Sequence, residues 1–290
     1  MKKAIKDFGF NGKKVIVRLD LNVPIKDGVI TDDNRIKMSL RTIKAIRRKG
    51  GKVIILSHLG RVETVDDLKK NTLEPVAVRL SELLGKKVLF VNKTRGKEVE
   101  TAISNMKNGD VILLENTRFE DLKGNKESKN NLRLAKYWAS LGDIFINDAF
   151  GTAHRAHASN VGIAKYLPSG IGYLMQNEIK YLGKSLMKPK RPYVVILGGS
   201  KVSDKIHVID NLASKADYLL IGGAMAFTFL KASGFSTGKS FVQDDELDYC
   251  VDVLRKYEDK IVLPIDIITS DKISEDGQIN NRFINEIVKE

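Results

Sequence analysis

The sequence predicts an α/β protein: two three-layer αβα lobes with parallel sheets, joined by a long helix. Three observations predict it. Short apolar runs such as Lys14-Val-Ile-Val-Arg-Leu19, Lys52-Val-Ile-Ile-Leu56 and Asp110-Val-Ile-Leu-Leu114 alternate with stretches of helical periodicity, as in a sheet covered on both faces. Charged and polar residues gather directly after those runs, at the edge where open parallel sheets bind ligands. One long helix, Tyr173 to Met187, ends in the breaker Lys188-Pro-Lys-Arg-Pro192 before the αβ pattern restarts, which marks a domain boundary.

The elements follow in order. Lys14 to Leu19 is the first strand and delivers Asp20-Leu-Asn-Val-Pro24. Asp32 or Asp33 caps a helix in which Ile36, Leu40, Ile43 and Ile46 recur at helical spacing, and Gly50-Gly51 stops it. Lys52 to Leu56 delivers Ser57-His-Leu-Gly-Arg61. Lys69-Lys70 lies on a solvated loop. Leu73 to Leu84 is helical, Lys87 to Phe90 is a strand and Glu98 to Met106 a short helix. Asp110 to Leu114 ends in Glu115-Asn-Thr-Arg-Phe119. The spacing predicts a helix over 128–140 with Leu132, Ala135, Tyr137 and Leu141 on one side. Gly142 to Ile146 runs into Asn147-Asp-Ala-Phe-Gly-Thr-Ala-His-Arg-Ala-His157, and Pro168-Ser-Gly-Ile-Gly172 is punctuation before the long helix.

The second block opens on Tyr193-Val-Val-Ile-Leu197, continues through Gly198-Gly-Ser-Lys201, and becomes helical from about Ser203 to Lys215. Asp217 to Ile221 is its next strand, followed by Gly222-Gly223. A helix from Asp244 to Lys256 and strands near 260–263 and 265–268 come next, and Arg282 to Glu290 has the look of a helix. With fewer strands than the first block and no closing element, either the second lobe is small or it is incomplete.

Composition bounds the function. Hydrophobic residues are 42% and charged residues 29% of 290, the balance of a globular protein. Cys250 is the only cysteine, which excludes a disulfide framework and suits a reducing compartment. No run approaches the ~20 apolar residues of a membrane span. The formal net charge is +13, a surplus that serves nucleic acid, an anionic surface or a small anionic substrate. Lysine pairs such as Lys2-Lys3, Lys69-Lys70 and Lys86-Lys87 are solvated faces. The arginines differ: Arg18, Arg35, Arg61, Arg118 and Arg155 all sit in or beside Gly-, His- or acid-containing junctions. No RNA-binding strand signature or zinc finger accompanies them, so a phosphorylated metabolite explains them better than a polynucleotide.

Arginine at several strand ends holds phosphate or carboxylate through paired bonds. Arg35, in the first turn of its helix, opposes the macrodipole, which suggests an anion above the helix end. Asp20 and Asn22 accept from a substrate hydroxyl or orient a guanidinium. His58, His154 and His157 flank these arginines, but no cysteine or acid completes a metal-ligand spacing. His207 is a helix-surface or packing residue. In the second block, a strand, a Gly turn and a helix start bring backbone N–H groups and Lys201 towards phosphate, although the longer Walker A loop is absent. Two anion sites facing a cleft suggest phosphoryl transfer with closure to expel water.

Five stretches now carry a resemblance: Arg18-Leu-Asp-Leu-Asn-Val-Pro24, Ser57 to Arg61, Glu115 to Phe119, Asn147 to Ser159, and Leu197-Gly-Gly-Ser-Lys-Val-Ser-Asp-Lys-Ile206. In this order they resemble the phosphoglycerate kinases along essentially the whole chain. Ser200 stands where that family commonly has Ala, and Val62 where Pro often follows. The resemblance implies two Rossmann-like lobes: residues 1–170 binding the triose phosphate, 171–189 as interdomain helix and linker, and 190–290 as part of a nucleotide lobe. It implies reversible phosphoryl transfer between 1,3-bisphosphoglycerate and ADP, giving 3-phosphoglycerate and ATP, in glycolysis. Asp20, Asn22, Arg35, His58, Arg61, Arg118 and Arg155 match the triose site. Gly199, Lys201, Lys205, Gly222 and Gly223 match the nucleotide site, with Arg35 and Lys201 as the catalytic cations. Mg2+ travels with the nucleotide, and no metal ligand is expected within the chain. The family implies a cytoplasmic monomer with neither membrane nor nucleic acid as partner. The chain is shorter than the family's usual length and lacks the family's later nucleotide and magnesium segments. That shortfall leaves the alternative of a catalytically weak form that only binds triose phosphate, and the +13 charge leaves that of a basic nucleic-acid-binding protein.

Overall fold

The computed structural model describes residues 2–272, 274 and 276–287. It divides into two compact units, one reaching Leu182 and the other beginning at Gly183.

The first unit is organised by strands β1 (Lys14–Arg18), β2 (Ile25–Lys26), β3 (Val29–Ile30), β4 (Lys52–Leu56), β5 (Leu89–Val91), β6 (Val111–Leu114), β7 (Ile144–Asn147) and β8 (Ser169–Ile171). Six form one sheet in the order β5-β6-β4-β1-β7-β8, every neighbouring pair parallel. β2 and β3 make a small antiparallel ribbon. Helices are α1 (Asn34–Arg48), α2 (Val65–Lys70), α3 (Glu74–Leu84), α4 (Lys97–Ser104), α5 (Leu132–Ser140) and α6 (Tyr173–Met187), the last running past Leu182.

Alternate residues of each strand enter opposite layers, as a pleat dictates. Val15, Val17, Val53, Ile55, Val111, Leu113, Ile144 and Ile146 pack with Ile36, Ile43 and Ile46 of α1 and with Leu73, Val76 and Leu80 of the α3 region. Ile16, Ile54, Leu56, Ile112, Leu114 and Phe145 pack the other way, on Val99 and Ile103 of α4 and Leu134, Ala135 and Trp138 of α5. This is why the strands are apolar almost throughout rather than alternating.

The second unit carries β9 (Val194–Gly198), α7 (Ile206–Ala213), β10 (Tyr218–Gly222), α8 (Met225–Ala232), α9 (Leu247–Lys256) and β11 (Ile261–Val262), then β12 (Asp266–Ser270) and β13 (Ile279–Phe283). β11-β10-β9 is a parallel sheet. Val195, Leu219 and Ile221 on one face pack with Ile209 of α7, Met225 and Phe229 of α8, and Cys250 and Val253 of α9. The alternate face is open: Val194, Ile196, Tyr218 and Val262 are 44%, 75%, 47% and 44% exposed.

Several local expectations change. Residues 65–70 are helix α2, not loop, because Asp67 accepts from the Thr64 backbone and hydroxyl and from the Glu63 backbone at 2.8–3.0 Å. α5 starts at Leu132, four residues later than the spacing suggested, since the Asn131 side chain accepts from the Leu134 amide at 3.0 Å and sets the cap. Its buried face is Leu134, Ala135, Trp138 and Ala139, while Leu132 is exposed. Residues 169–171 form the edge strand β8. Residues 266–270 pair with 279–283 as an antiparallel hairpin, so the helix expected from Arg282 is strand to Phe283 and a single 3-10 turn at Ile284–Glu286; residues 288–290 of that expectation lie outside the described residues.

Candidate functional site

The sheet of the first unit places four loops at the carboxyl ends of neighbouring strands: 19–24 after β1, 57–62 after β4, 115–121 after β6 and 148–157 after β7. Polar side chains that the sequence left without a role tie these loops together. The Asn116 carboxamide accepts from the Leu59 amide (3.2 Å) and the Arg118 amide (3.0 Å), and donates to the carbonyls of Leu59 (2.7 Å) and Asn71 (2.9 Å). Glu115, buried beside it, accepts from the Leu73 amide and the Thr72 hydroxyl. Asn160 holds the last loop, accepting from the His157 amide and donating to the carbonyls of Thr152 and Arg155. A buried carboxamide that satisfies several backbone groups at once fixes a loop without help from a ligand.

On this frame stand the predicted residues. Arg35, in the first turn of α1, donates to Asp20 at 2.5 Å; the arginine side chain is 52% exposed and the aspartate 11%. Asp20 Oδ1 also accepts from the Asn22 amide at 3.3 Å. Orienting a guanidinium is one of the two roles expected for Asp20. A Cβ on Gly151 would stand 2.6 Å from Asp20 Oδ2, so the β7 loop can approach this pair only with glycine there. Asn22 Oδ1 accepts from the Gly60 amide at 2.8 Å, linking the first two loops beside a cavity of about 580 Å3. Arg155 is exposed, and its Nε donates to His154 Nε2 at 3.1 Å. Arg61 is exposed and its backbone carbonyl accepts from Asn71; among the described residues nothing brings its guanidinium onto the others.

The buried half of the site joins Arg18, which the sequence groups with the anion-holding arginines, to Glu127, to which the sequence gives no role. Arg18, the last residue of β1, is fully buried. Its Nε donates to the Ser159 hydroxyl at 2.8 Å, one terminal nitrogen donates to the Leu19 carbonyl, and the other meets His58 Nδ1 at 3.2 Å. Ser159 in turn donates to Glu127 through both its hydroxyl and its amide. Burial pushes the Glu127 carboxyl up, while the Arg18 charge and the Ser159 bonds pull it down. Arginine does not release its proton in proteins, so Arg18 stays cationic. A charge at the end of an apolar strand was the available signal for Arg18.

The same burial sets the histidines. His58 is pushed down to about 2 by desolvation first and then by the charges of Arg18, Arg118, His157 and Arg155. His157, 3.7 Å from Glu127, is pushed down to about 4 by desolvation and then by Arg118, Arg18 and Arg155. Both are neutral near pH 7. Arg118 is anchored towards Asp121 (3.7 Å) and the Ser128 hydroxyl (3.5 Å), yet among the described residues its buried Nε has no acceptor. An unsatisfied buried donor is costly, and an anionic ligand would supply the missing acceptor. The first unit thus gathers Arg18, Arg35, Arg118 and Arg155 with two neutral histidines, an arrangement suited to a multiply charged small anion.

In the second unit the loops after β9 and β10 abut. Gly223 has φ +68°, and a Cβ there would lie 3.0 Å from the Gly199 backbone; the Met225 amide donates to the Gly199 carbonyl at 2.9 Å. Gly223 is therefore demanded by the packing of one backbone on another, whereas Gly199 and Gly222 meet nothing closer than ordinary contact. α7 begins at Ile206 rather than near Ser203, because 203–205 form a turn that places Lys205 at the cap. The Gln243 side-chain oxygen takes the amides of Val202 (2.6 Å) and Ser203 (3.2 Å), so those two are not free for phosphate. Among the described residues the amides of Ser200 and Lys201 have no acceptor, and Lys201 is exposed. His207 is exposed on α7, and Cys250 is buried, its thiol pushed up to about 12 by desolvation. No helix is long and apolar enough to cross a membrane, among the described residues.

Known proteins are similar to this chain. The family model described as phosphoglycerate kinase matches residues 5–290. A phosphoglycerate kinase of Enterococcus faecalis is 59% identical over 277 residues, covering 95% of this chain and 70% of its own length. One of Fusobacterium nucleatum is 54% identical over 290 residues, covering 99% and 73%. The solved phosphoglycerate kinase of Coxiella burnetii superposes with a TM-score of 0.82 at 40% identity, over 99% of this chain and 72% of that one. That of Pyrococcus horikoshii gives 0.82 at 31%, over 98% and 71%.

Proposed function

The chain belongs to the phosphoglycerate kinase family, and from that premise we infer how its residues divide the family's reaction, reversible phosphoryl transfer between 1,3-bisphosphoglycerate and ADP to give 3-phosphoglycerate and ATP. The cationic cluster at the carboxyl edge of the six-stranded sheet carries the inference. Arg35, His58, Arg61, Arg118 and Arg155, with Asp20 and Asn22, take the triose phosphate. The orphaned Arg118 Nε supports this, because it lacks the acceptor that a phosphate or carboxylate oxygen provides. Gly199, Lys201, Lys205, Gly222 and Gly223 take the nucleotide, supported by the free Ser200 and Lys201 amides beside an exposed lysine. We assign 1–170 to the triose domain, 171–189 to the connecting helix and linker, and 190–290 to the nucleotide domain. Mg2+ arrives with the nucleotide as the counter-charge of its phosphates. A glycolytic enzyme of this kind acts as a cytoplasmic monomer.

The chemistry needs no general base. In one direction the acceptor is the carboxylate of 3-phosphoglycerate, already ionised with an ordinary pKa near ~3.5. In the other it is a phosphate oxygen of ADP. The obstacle is anion meeting anion, so the chain's work is charge neutralisation and alignment. Arg35 serves the transferring oxygens on the triose side and Lys201 on the nucleotide side. A binding-only role and a nucleic-acid role gain no support from the relatives named above, which are kinases.

A coupled assay tests the assignment. Arg35→Ala and Lys201→Ala should each lower kcat/KM by about a hundredfold to a thousandfold, the usual cost of removing one transition-state donor. Lys69→Ala, exposed on α2, should leave it unchanged. Equal turnover in the parent chain and the Arg35 variant would remove Arg35 from the chemistry.

A further inference from the structure

His58 meets Arg18 through Nδ1, and that contact has only one chemically consistent form. A guanidinium donates hydrogen bonds and cannot accept them. Nδ1 at 3.2 Å from the Arg18 nitrogen must therefore be the lone-pair nitrogen, and the ring proton sits on Nε2. Among the described residues Nε2 has no partner in the protein, although His58 is only 8% exposed. Arg18 cannot drift from this role, because its other bonds run to the Leu19 carbonyl and the Ser159 hydroxyl, and Ser159 is held twice by Glu127.

We propose that Arg18, anchored through Ser159 by Glu127, is a positioning residue that locks His58 as the neutral Nε2–H tautomer, so that the triose ligand meets an uncharged donor. The proposal rests on the assignment of His58 to the triose site. Charged and titratable groups around the ring are Arg18 on β1, Arg118 on the β6 loop, and Arg155 and His157 on the β7 loop. All are cationic or neutral, and each disfavours a second proton on the ring. The net charge presented to the ligand is thus set by arginines and stays constant through the pH range in which a free histidine titrates. A fixed N–H donor also selects an acceptor oxygen of phosphate or carboxylate at that position.

The test is nitrogen NMR on the histidine-labelled full chain without ligand, the four histidines being assigned with His58→Gln. The expected result is an unprotonated Nδ1, a protonated Nε2, and no titration of His58 from about pH 5 to 8, around the ordinary ~6.5 of histidine. An Nδ1–H tautomer, or titration near ~6.5, would overturn the proposal. The paired change Arg18→Met with Glu127→Gln removes the buried cation and its carboxyl partner together. It should free the tautomer, so that the neutral ring carries its proton on either nitrogen, and weaken binding of 3-phosphoglycerate severalfold. A folded double variant with the parent tautomer and the parent Kd would overturn the proposal, because a purely structural role for Arg18 predicts that outcome. If the double variant does not fold, the parent spectrum decides alone. A locked tautomer in a chain that fails to bind 3-phosphoglycerate by calorimetry would separately sink the site assignment.

Discussion

Asp20 and Arg35 show how much a single ion pair can and cannot do. The pair is half open to solvent on the arginine side, so it contributes no more than ~1 kcal/mol to stability. Its value is orientation: the carboxylate holds the guanidinium at the mouth of the cationic cluster. Asp20→Asn keeps an acceptor for the Asn22 amide but removes the charge that fixes Arg35. Calorimetry should show 3-phosphoglycerate bound severalfold more weakly and ADP bound as before. A selective loss of ADP affinity would contradict the division of ligands between the units. Asp20, Arg35 and Arg118 could be found in the sequence because each follows a strand or opens a helix, a strictly local property. Asn116, Glu127 and Gln243 could not, since their partners lie 57, 32 and 41 residues away in the chain. Nothing local distinguishes a loop carboxamide that spans two loops from one that faces water.

α6 illustrates the same limit in a helix. Its extent, Tyr173–Met187, follows from periodicity and the Lys188-Pro breaker, but its anchoring does not. Asp148, from the loop after β7, accepts from the Met175 amide at 2.9 Å and so caps the helix from a distance. Gly172 lets this happen: a Cβ there would stand 2.6 Å from the Asp148 Cβ. Gly172→Ala should push Asp148 away and strip the helix start of its cap, destabilising the chain by about 1–3 kcal/mol. Urea unfolding would show this as a lower midpoint with an unchanged slope. An unaltered midpoint would mean that the loop gives way at no cost. α5 starts four residues later than its apolar spacing suggests for a related reason: the Asn131 side chain caps it, and the helix begun there turns Trp138 inwards, where its indole donates to the Thr94 carbonyl at 2.8 Å.

For the molecule as a whole, charge and burial set the response to conditions. His58 and His157 are held near about 2 and about 4 when folded, against ~6.5 when unfolded. The unfolded chain therefore gains protons first, and the stability these residues contribute, full above ~6.5, is lost as pH falls towards those values. Asp148, pushed up by burial, works oppositely, its share lost as pH rises. Thermal midpoints should decline from about pH 6.5 to 4.5, less steeply in His157→Gln; a flat or rising profile would exclude the histidines as the cause. The open face of the β11-β10-β9 sheet gives the chain a different kind of behaviour, that of a patchy colloid. Val194, Ile196, Tyr218 and Val262 offer adhesion, while the formal +13 charge offers mutual repulsion. Repulsion reaches about 30 Å at 0.01 M salt and about 3 Å at 1 M, but adhesion is short-ranged at every salt concentration. Light scattering should therefore report particles that stay apart in dilute buffer and flocculate as salt is added, with Ile196→Glu raising the salt needed.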